Sequence, residues 1–435
     1  MTSECAPLLY AELLSNIRQT SLAVSLGSAS DASTRVVVAA DGENVELQHH
    51  GQSHTLRLPS KVALGGAILP IQRPGASTLS WRLPLGQATG LDASSSTESS
   101  TWTATDLKVG SPVACRQCQA VVVSQDMVTI WKDLPSENWA EMMEFWHCHK
   151  PDDHDHNHGG HGDHHHHDDK SNGISTNGQN TKADDKSLAA RGYGASSVIS
   201  AQQSVGFVDL TTLLFVEQDC SNITYSLSTP EHGSQERQVV VSDENSSQVR
   251  SLNVFCSSCQ AQLGFYNFRT AAVTLLKWQI SCDSISNLSP GLEECLAATL
   301  ISTIARSASS KSLLLPITET IATTEEEGEG IGKDKVVHIW VLNTGIVYAS
   351  SANGAAVATR RPGAGSGTLA IKLLYRLVSR EEADRMLDSL TGDAQEVNIP
   401  VKAIQEVMQH LDQSNTLLPA TERVFKEWKV GLLRR

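Results

Sequence analysis

Two short stretches decide which fold this sequence can adopt: Cys115-Arg116-Gln117-Cys118 and Cys256-Ser257-Ser258-Cys259. Two residues between a pair of cysteines allow a tight turn to direct both sulfurs at one ion, and Zn²⁺ prefers four ligands in a tetrahedron. Each pair ends a segment with the pattern of a β-strand. We therefore predict two turns, from distant hairpins of one sheet, that hold one structural zinc ion per chain through Cys115, Cys118, Cys256 and Cys259.

Other interpretations of the cysteines stay open at this point. The two pairs could be reduced, buried dithiols, whereas a redox role is disfavoured because neither pair opens a helix in a βαβ unit. Cys5, Cys220, Cys282 and Cys295 stand alone, which is typical of small buried apolar residues. Nine cysteines in a chain without a secretory signal favour metal binding over disulfides and predict a cytoplasmic or nuclear protein.

The segments around the cysteine pairs have the pattern of an antiparallel β-structure. Short runs rich in Val and Leu are separated by Gly, Asp, Asn and Ser, as in strands joined by hairpins. The predicted strands are residues 21–26, 34–39, 45–48, 55–58, 81–85, 111–114, 121–131, 207–217, 222–227, 238–241, 251–255 and 271–280. Before them, leucines at helical spacing in residues 6–17 predict a short amphipathic helix.

The last third of the chain alternates between the two periodicities. Helices are predicted at residues 290–306, 380–390 and 399–411, and strands at 336–343, 368–377 and 424–432. A turn at Thr344-Gly345 should pair residues 346–350 with the preceding strand, in which His338 has a structural role. The predicted class is α+β, with a β-rich zinc-binding region at residues 1–285 and a smaller α+β region at 286–435.

A low-complexity insertion divides the β-rich region at about residues 151–200. Residues 152–169 hold eight His and six Asp, and a segment of that composition cannot bury apolar area, so we expect it to be disordered and to bind metal only loosely. Much of the net charge of −14 lies in this run and in Glu325, Glu326, Glu327 and Glu329. Without a basic face or a long apolar stretch, the sequence predicts neither direct nucleic-acid binding nor membrane association.

A second group of interest lies directly before the insertion. Trp139, Met142, Met143 and Trp146 fall on one face of a predicted helix, which favours a stripe that packs on the core. The helix ends in His147-Cys148-His149. A thiol between two imidazoles could be activated as a thiolate or could bind a metal, and the structural alternative is a packed cysteine at a helix end.

The run from Leu134 to His149 resembles the HECT-like ubiquitin ligases that bind ubiquitin-conjugating enzymes. The Cys pairs, Leu263-Gly264 and Trp428 are also similar to that family. The resemblance implies a ubiquitin-protein ligase, with a ubiquitin-conjugating enzyme, ubiquitin and protein substrates such as cyclins as partners. The chain departs from HECT ligases because no cysteine follows Cys295, so a HECT-style thioester would have to form elsewhere, and Cys148 is the best candidate. The predicted partner-binding residues are Trp139, Trp146, His147, Cys148 and His149.

Two further implications come from resemblance. Residues 256–266 are similar to the second zinc turn of Yippee and cereblon-type modules, which implies one zinc ion between two hairpins, a glycine that shapes the turn and an aromatic residue packed beneath the metal. Members of the HECT-like family are also linked to the metallo-endonuclease that processes pre-mRNA 3′ ends. The alternative function is therefore a non-catalytic adaptor or assembly factor for such an enzyme.

Overall fold

The computed structural model of the protein describes residues 6–86, 101–134, 200–226, 251–268, 270–285, 289–317, 334–352, 367–389 and 394–435. The predicted helix around Trp139, the His- and Asp-rich insertion and the predicted strand at 238–241 lie outside these ranges. Within them the fold is α+β and rich in strands, as the sequence predicts.

The strands of the first half of the chain are β1 (Leu8–Leu14), β2 (Gln19–Ser25), β3 (Arg35–Val38), β4 (Asn44–His49), β5 (Gln52–Arg57), β6 (Ile68–Leu69), β7 (Thr78–Pro84), β8 (Val113–Cys115), β9 (Val121–Val123), β10 (Ile130–Asp133), β11 (Val205–Val208) and β12 (Thr212–Val216). Those of the second half are β13 (Ile223–Ser226), β14 (Ser251–Cys256), β15 (Gln262–Asn267), β16 (Ala272–Leu276), β17 (Ile280–Cys282), β18 (Lys311–Pro316), β19 (Lys335–Ser350), β20 (Thr368–Ser379), β21 (Gln395–Ile399), β22 (Val424–Phe425) and β23 (Trp428–Arg434). The helices are α1 (Leu292–Ser307), α2 (Arg380–Leu387) and α3 (Val401–Thr416).

The largest sheet has nine strands, and β19 is its centre. One edge of β19 pairs with β20 along most of its length, and the other edge pairs first with β18 and then with β1. The path β22-β23-β20-β19-β1-β2-β7 therefore joins the two ends of the chain. Strands from both sides of the predicted boundary at residues 285 and 286 share this sheet, and the division into two regions stays a prediction.

The predicted turn at Thr344-Gly345 is wrong, because β19 continues through it as one strand. The register with β20 shifts between Val341 and Asn343 and again between Asn343 and Ile346. The Asn343 side-chain carbonyl accepts a hydrogen bond from the Gly345 amide at 2.9 Å, which stabilises this irregularity. The polar Asn-Thr-Gly stretch thus forms a bulge, which bends a strand without reversing it.

The predicted N-terminal helix is also wrong, because residues 8–14 form β1. Leu9 and Ala11 belong to the core between this sheet and a four-stranded sheet, while Tyr10 packs into the core on the opposite face. A strand that is covered on both faces has an apolar run instead of an alternating pattern. The spacing of its leucines therefore matches a helix by coincidence.

Helices α1 and α3 cover one face of the nine-stranded sheet. Leu300 of α1 and Val407 and Leu411 of α3 pack with Ile339 of β19 and Leu373 of β20. Ser379 caps the N-terminus of helix α2, because its side chain accepts a hydrogen bond from the backbone N–H of Glu382. In the part of the chain that the structure describes, no helix is long and apolar enough to cross a membrane.

Three smaller sheets complete the fold. A four-stranded sheet, β5-β4-β3-β6, packs on the β1, β2 and β7 part of the large sheet. A seven-stranded sheet, β10-β11-β12-β16-β15-β14-β13, and a three-stranded sheet, β17-β8-β9, share a core of their own. The segments 121–131 and 207–217, each predicted as one strand, both form two strands, and in the first the chain turns at Asp126 with a φ of 61°.

Candidate metal centre

Each Cys-x-x-Cys pair lies in the turn of a hairpin, and the two turns have the same local sequence. We name the first knuckle residues 115–120 and the second knuckle residues 256–261, and both read Cys-x-x-Cys-Gln-Ala. In each knuckle the backbone N–H of the first cysteine donates to the alanine carbonyl oxygen at 2.9 Å. The backbone N–H of the glutamine donates to the carbonyl oxygen of that same cysteine, also at 2.9 Å. The two hairpins therefore present their cysteines in the same way.

The glutamine of each knuckle makes this turn possible. Gln119 and Gln260 have φ values of 61° and 59°, a left-handed conformation that reverses the chain after the second cysteine. Their side-chain amides donate to the carbonyl oxygens of Arg116 at 3.0 Å and Ser257 at 3.3 Å, which closes each turn from the side. Sequence reasoning missed both glutamines, although the repeated Cys-x-x-Cys-Gln-Ala pattern was a visible signal.

Two neighbouring strands bring the distant knuckles together. Strands β12 and β16 pair with each other in the seven-stranded sheet, and each continues through a short 3-10 turn toward the β8–β9 hairpin. After β12, Cys220 forms a bridge to Val123, and after β16, Ile280 pairs with Cys115. The first knuckle lies between these two segments, which extend from the sheet of the second knuckle. The prediction that both hairpins belong to one sheet is therefore wrong, because β8 and β9 form a three-stranded sheet with β17, while β14 and β15 lie in the seven-stranded sheet.

The structure brings all four predicted ligands to one point. The Sγ atoms of Cys115 and Cys259 are 3.6 Å apart, those of Cys118 and Cys256 are 3.5 Å apart, and all four lie within 4.8 Å of one another. A tetrahedron with Zn–S bonds of 2.3 Å has sulfur atoms roughly 3.8 Å apart, so the cluster has the dimensions that such an ion needs. The seven described cysteines are all free thiols.

The pKa values of the two buried thiols, Cys115 and Cys256, are shifted in opposite directions. Burial raises the pKa of the Cys115 thiol to about 12. Burial also acts on Cys256, but hydrogen bonds from the backbone N–H groups of Cys259 and Ser258 and from neighbouring thiols outweigh it and lower the pKa to about 7. Backbone N–H groups of Cys118 and Gln117 also act to lower the pKa of Cys115, but there burial outweighs them. A bound cation would therefore favour the thiolate form of Cys115 that burial disfavours.

Close packing beneath the second knuckle depends on a glycine. Gly264 of β15 faces Leu275 of β16, and a Cβ atom at this position would overlap the Thr274 carbonyl oxygen. Only glycine allows the two strands to approach this closely. The cereblon-type resemblance implied a glycine that shapes the turn, whereas Gly264 lies within β15 and sets the spacing between two strands.

The other described cysteines are unsuited to nucleophilic chemistry. Burial raises the pKa of Cys220 and of Cys295 to about 12, and it also raises the pKa of Cys282. They remain protonated near neutral pH and behave as packed apolar residues, which agrees with the sequence interpretation. The predicted catalytic Cys148 and its neighbours Trp139, Trp146, His147 and His149 lie outside the described residues, as does Cys5.

His338 and Lys277 are buried polar residues with structural positions. His338 is 3% exposed and packs edge-on against Trp428 at 4.8 Å, and burial together with the charges of Arg376 and Lys311 lowers its pKa to about 4. Lys277, which the sequence analysis did not single out, donates to the carbonyl oxygens of Trp102 at 2.6 Å and Leu210 at 3.2 Å. These hydrogen bonds hold two loops against the 3-10 turn that follows β16 and leads to the first knuckle.

Two fungal proteins share a short segment with this chain. Uncharacterized protein YJR141W of Saccharomyces cerevisiae is 42% identical over 53 residues, which cover 12% of this chain and 15% of the relative. Uncharacterized protein C1734.10c of Schizosaccharomyces pombe is 46% identical over 52 residues, which cover 11% of this chain and 15% of the relative. The matched segments thus span less than a fifth of either relative.

Similarity over nearly the whole length comes from a family model. No solved structure matches the chain. The model described as HECT-like ubiquitin-conjugating enzyme (E2)-binding, in contrast, matches residues 12–430 and so includes both knuckles and most of the nine-stranded sheet. The chain therefore belongs to the HECT-like ubiquitin-conjugating enzyme (E2)-binding family.

Proposed function

We propose that this protein binds a ubiquitin-conjugating enzyme and promotes the transfer of ubiquitin to protein substrates in the cytoplasm or nucleus. The observation that carries the proposal is the match to the E2-binding family over residues 12–430. The predicted contact surface is the block that contains Trp139, Trp146, His147, Cys148 and His149, and cyclins are candidate substrates through the same resemblance.

We also propose that the four-cysteine cluster binds one zinc ion with a structural role. Four sulfur ligands fill a tetrahedral zinc site and leave no open position for a substrate or a water molecule. The ion would join two turns whose nearest cysteines, Cys118 and Cys256, are 138 residues apart in sequence. Its binding free energy would therefore contribute to folding, and the cluster itself would take no part in transfer.

If ubiquitin passes through this chain, Cys148 is the residue that we propose for the thioester. The described cysteines are either in the metal cluster or held as protonated thiols by burial. In such a transfer, the Cys148 thiolate attacks the thioester of the charged conjugating enzyme, a new thioester forms, and the enzyme's cysteine leaves as a thiolate. His147 and His149 are the neighbouring groups that could favour the thiolate.

The test is to mix the protein with a ubiquitin-charged conjugating enzyme and to analyse the products with and without reductant. A reductant-sensitive ubiquitin adduct that disappears in Cys148→Ser, but persists in the matched control Cys282→Ser, supports transfer through Cys148. If binding and substrate ubiquitination persist in Cys148→Ser without any adduct, the protein promotes direct transfer from the conjugating enzyme. If neither binding nor ubiquitination occurs, the ligase proposal is wrong and the adaptor alternative takes its place.

A further inference from the structure

A partly exposed group of three aromatic rings and one carboxylate lies on the sheet of the second knuckle, outside the four-cysteine cluster. The rings of Tyr225 and Tyr266 are 5.1 Å apart and tilted by 57°, and those of Tyr266 and Phe268 are 5.3 Å apart and nearly perpendicular at 84°. Tyr225 is 36% exposed and Phe268 is 46% exposed. We name Glu217, Tyr225, Tyr266 and Phe268 the aromatic–acidic patch.

The seven-stranded sheet positions the residues of this patch. Tyr225 lies on the edge strand β13, Tyr266 lies on β15, and Phe268 follows β15 directly. Tyr225 is opposite Val254 and Tyr266 is opposite Leu252, two residues along the same strand β14, so both tyrosines project from one face. Glu217 begins the 3-10 turn that follows β12 and reaches the same place, so two strands and two adjoining turns build the arrangement.

The carboxylate of Glu217 lies between the hydroxyl groups of the two tyrosines. Tyr225 donates its hydroxyl hydrogen to one Glu217 oxygen at 3.2 Å, and Tyr266 donates to the other oxygen at 3.0 Å. Among the residues that the structure describes, Glu217 makes no ion pair with a cation. The proximity of this carboxylate is one reason why the pKa of Tyr225, already raised by burial, lies well above its usual value.

These features are those of a site for an organic cation. Electron-rich ring faces attract cations, and the attraction is strongest where several rings converge and a carboxylate lies nearby. Each oxygen of Glu217 has a second lone pair after it accepts the tyrosine hydrogen bond, so it can accept one more N–H donor. A primary ammonium group offers three such donors together with an apolar stem that packs on aromatic rings.

We propose that the aromatic–acidic patch binds a lysine side chain from a basic, extended segment of a partner protein. The lysine ammonium group donates to Glu217, and its methylene chain lies across Tyr266 and Phe268. Among the described strands, β13 is the edge strand of its sheet, so an extended segment can lie alongside the patch. This proposal is independent of ubiquitin transfer and of the role of Cys148.

The experiment uses the full-length protein and a short peptide of Ser and Thr residues around one central lysine, studied by ligand-detected NMR. We expect saturation transfer to be strongest at the lysine ε-methylene protons. Acetylation of that lysine removes the charge and should abolish binding. Glu217→Gln should weaken binding about fivefold, the upper range for an exposed ion pair, and Phe268→Ala should weaken it about two- to fivefold.

Two controls separate this site from general attraction to an acidic protein. Phe425→Ala removes an exposed aromatic residue on another sheet, 53% exposed and distant in sequence, and should leave binding unchanged. Tyr225→Phe keeps the ring and frees one Glu217 oxygen, so binding should be retained, and thermal melts of each variant check folding. The proposal is overturned if the acetylated peptide binds equally well, or if folded Glu217→Gln and Phe268→Ala proteins bind the lysine peptide like the original protein.

Discussion

Replacement of Cys256 by serine should remove the metal ion and destabilise the whole fold. Its sulfur is buried, lies 3.5 Å from that of Cys118 and accepts hydrogen bonds from two backbone N–H groups. Serine has a poorer metal-binding atom, and a hundredfold loss of affinity at saturating metal corresponds to about 2.7 kcal/mol of stability. Complete loss of the link between the knuckles has an upper limit of about 5 kcal/mol, the entropy of closing a loop of this length.

We therefore expect Cys256→Ser to lower the free energy of unfolding by about 3 to 5 kcal/mol. The measurement combines urea unfolding with elemental analysis, in a protein whose His- and Asp-rich run is deleted so that loosely bound metal does not contribute. Cys282→Ser is the matched control, because this cysteine contacts Ser111 at 3.2 Å and lies outside the cluster. One equivalent of zinc retained by Cys256→Ser, with unchanged unfolding, would refute the metal assignment.

Three other predictions follow from the structure and the sequence. Gly264→Ala should lower the free energy of unfolding, measured in urea, by about 3 kcal/mol, because a Cβ atom there overlaps the Thr274 backbone. Gly86→Ala is the control and should change stability little, because a Cβ atom at that position has no neighbour nearer than 3.6 Å. Equal effects of the two substitutions would contradict this explanation. The pKa of His338 is lowered to about 4 in the folded protein, so its contribution to stability is complete above pH ~6.5 and up to about 3 kcal/mol is lost as the pH falls toward 4. Unfolding of the protein and of His338→Phe at a series of pH values should show this loss only in the former, and parallel curves would speak against it. Deletion of residues 152–186 should leave the melting temperature nearly unchanged, because a His- and Asp-rich segment buries little apolar area; a large decrease would mean that the segment is part of the core.

The metal cluster was predictable because its signal is local chemistry. Two residues between cysteines constrain a turn wherever the pair occurs, so the pairs at 115 and 256 indicated knuckles before any fold was known. The sequence did not indicate which strands bring the two knuckles together. Their approach depends on β12 and β16 crossing from one sheet to another, and each crossing is a 3-10 turn with no strong sequence signal.

The wrong helix prediction at residues 6–17 has a physical cause, which is the burial of β1 on both faces. β1 has neighbours on both edges and cores on both sides, so its sequence carries no simple alternation. The wrong turn in β19 has a different cause, because Asn343-Thr344-Gly345 has the composition of a turn but forms a bulge. Periodicity records how a segment contacts water, and it fails where water is excluded on every side. Edge and half-exposed strands, such as β4 at Asn44–His49, were predicted close to their observed limits for the opposite reason.

The segment from Glu217 to Tyr225 connects the metal cluster to the aromatic–acidic patch. After Glu217, the Ser221 amide donates to the Val122 carbonyl beside the first knuckle, and the Asn222 carbonyl accepts from the Ser257 amide of the second. Ile223 pairs with Cys256, and Tyr225 follows two residues later on the same strand. Both knuckles therefore contact the segment that positions Glu217 and Tyr225. If the metal is lost and the knuckles separate, the side chains of Glu217 and Tyr225 should move apart. A structural ion in this position would act on the patch through geometry alone, so Cys256→Ser should also weaken binding of the lysine peptide.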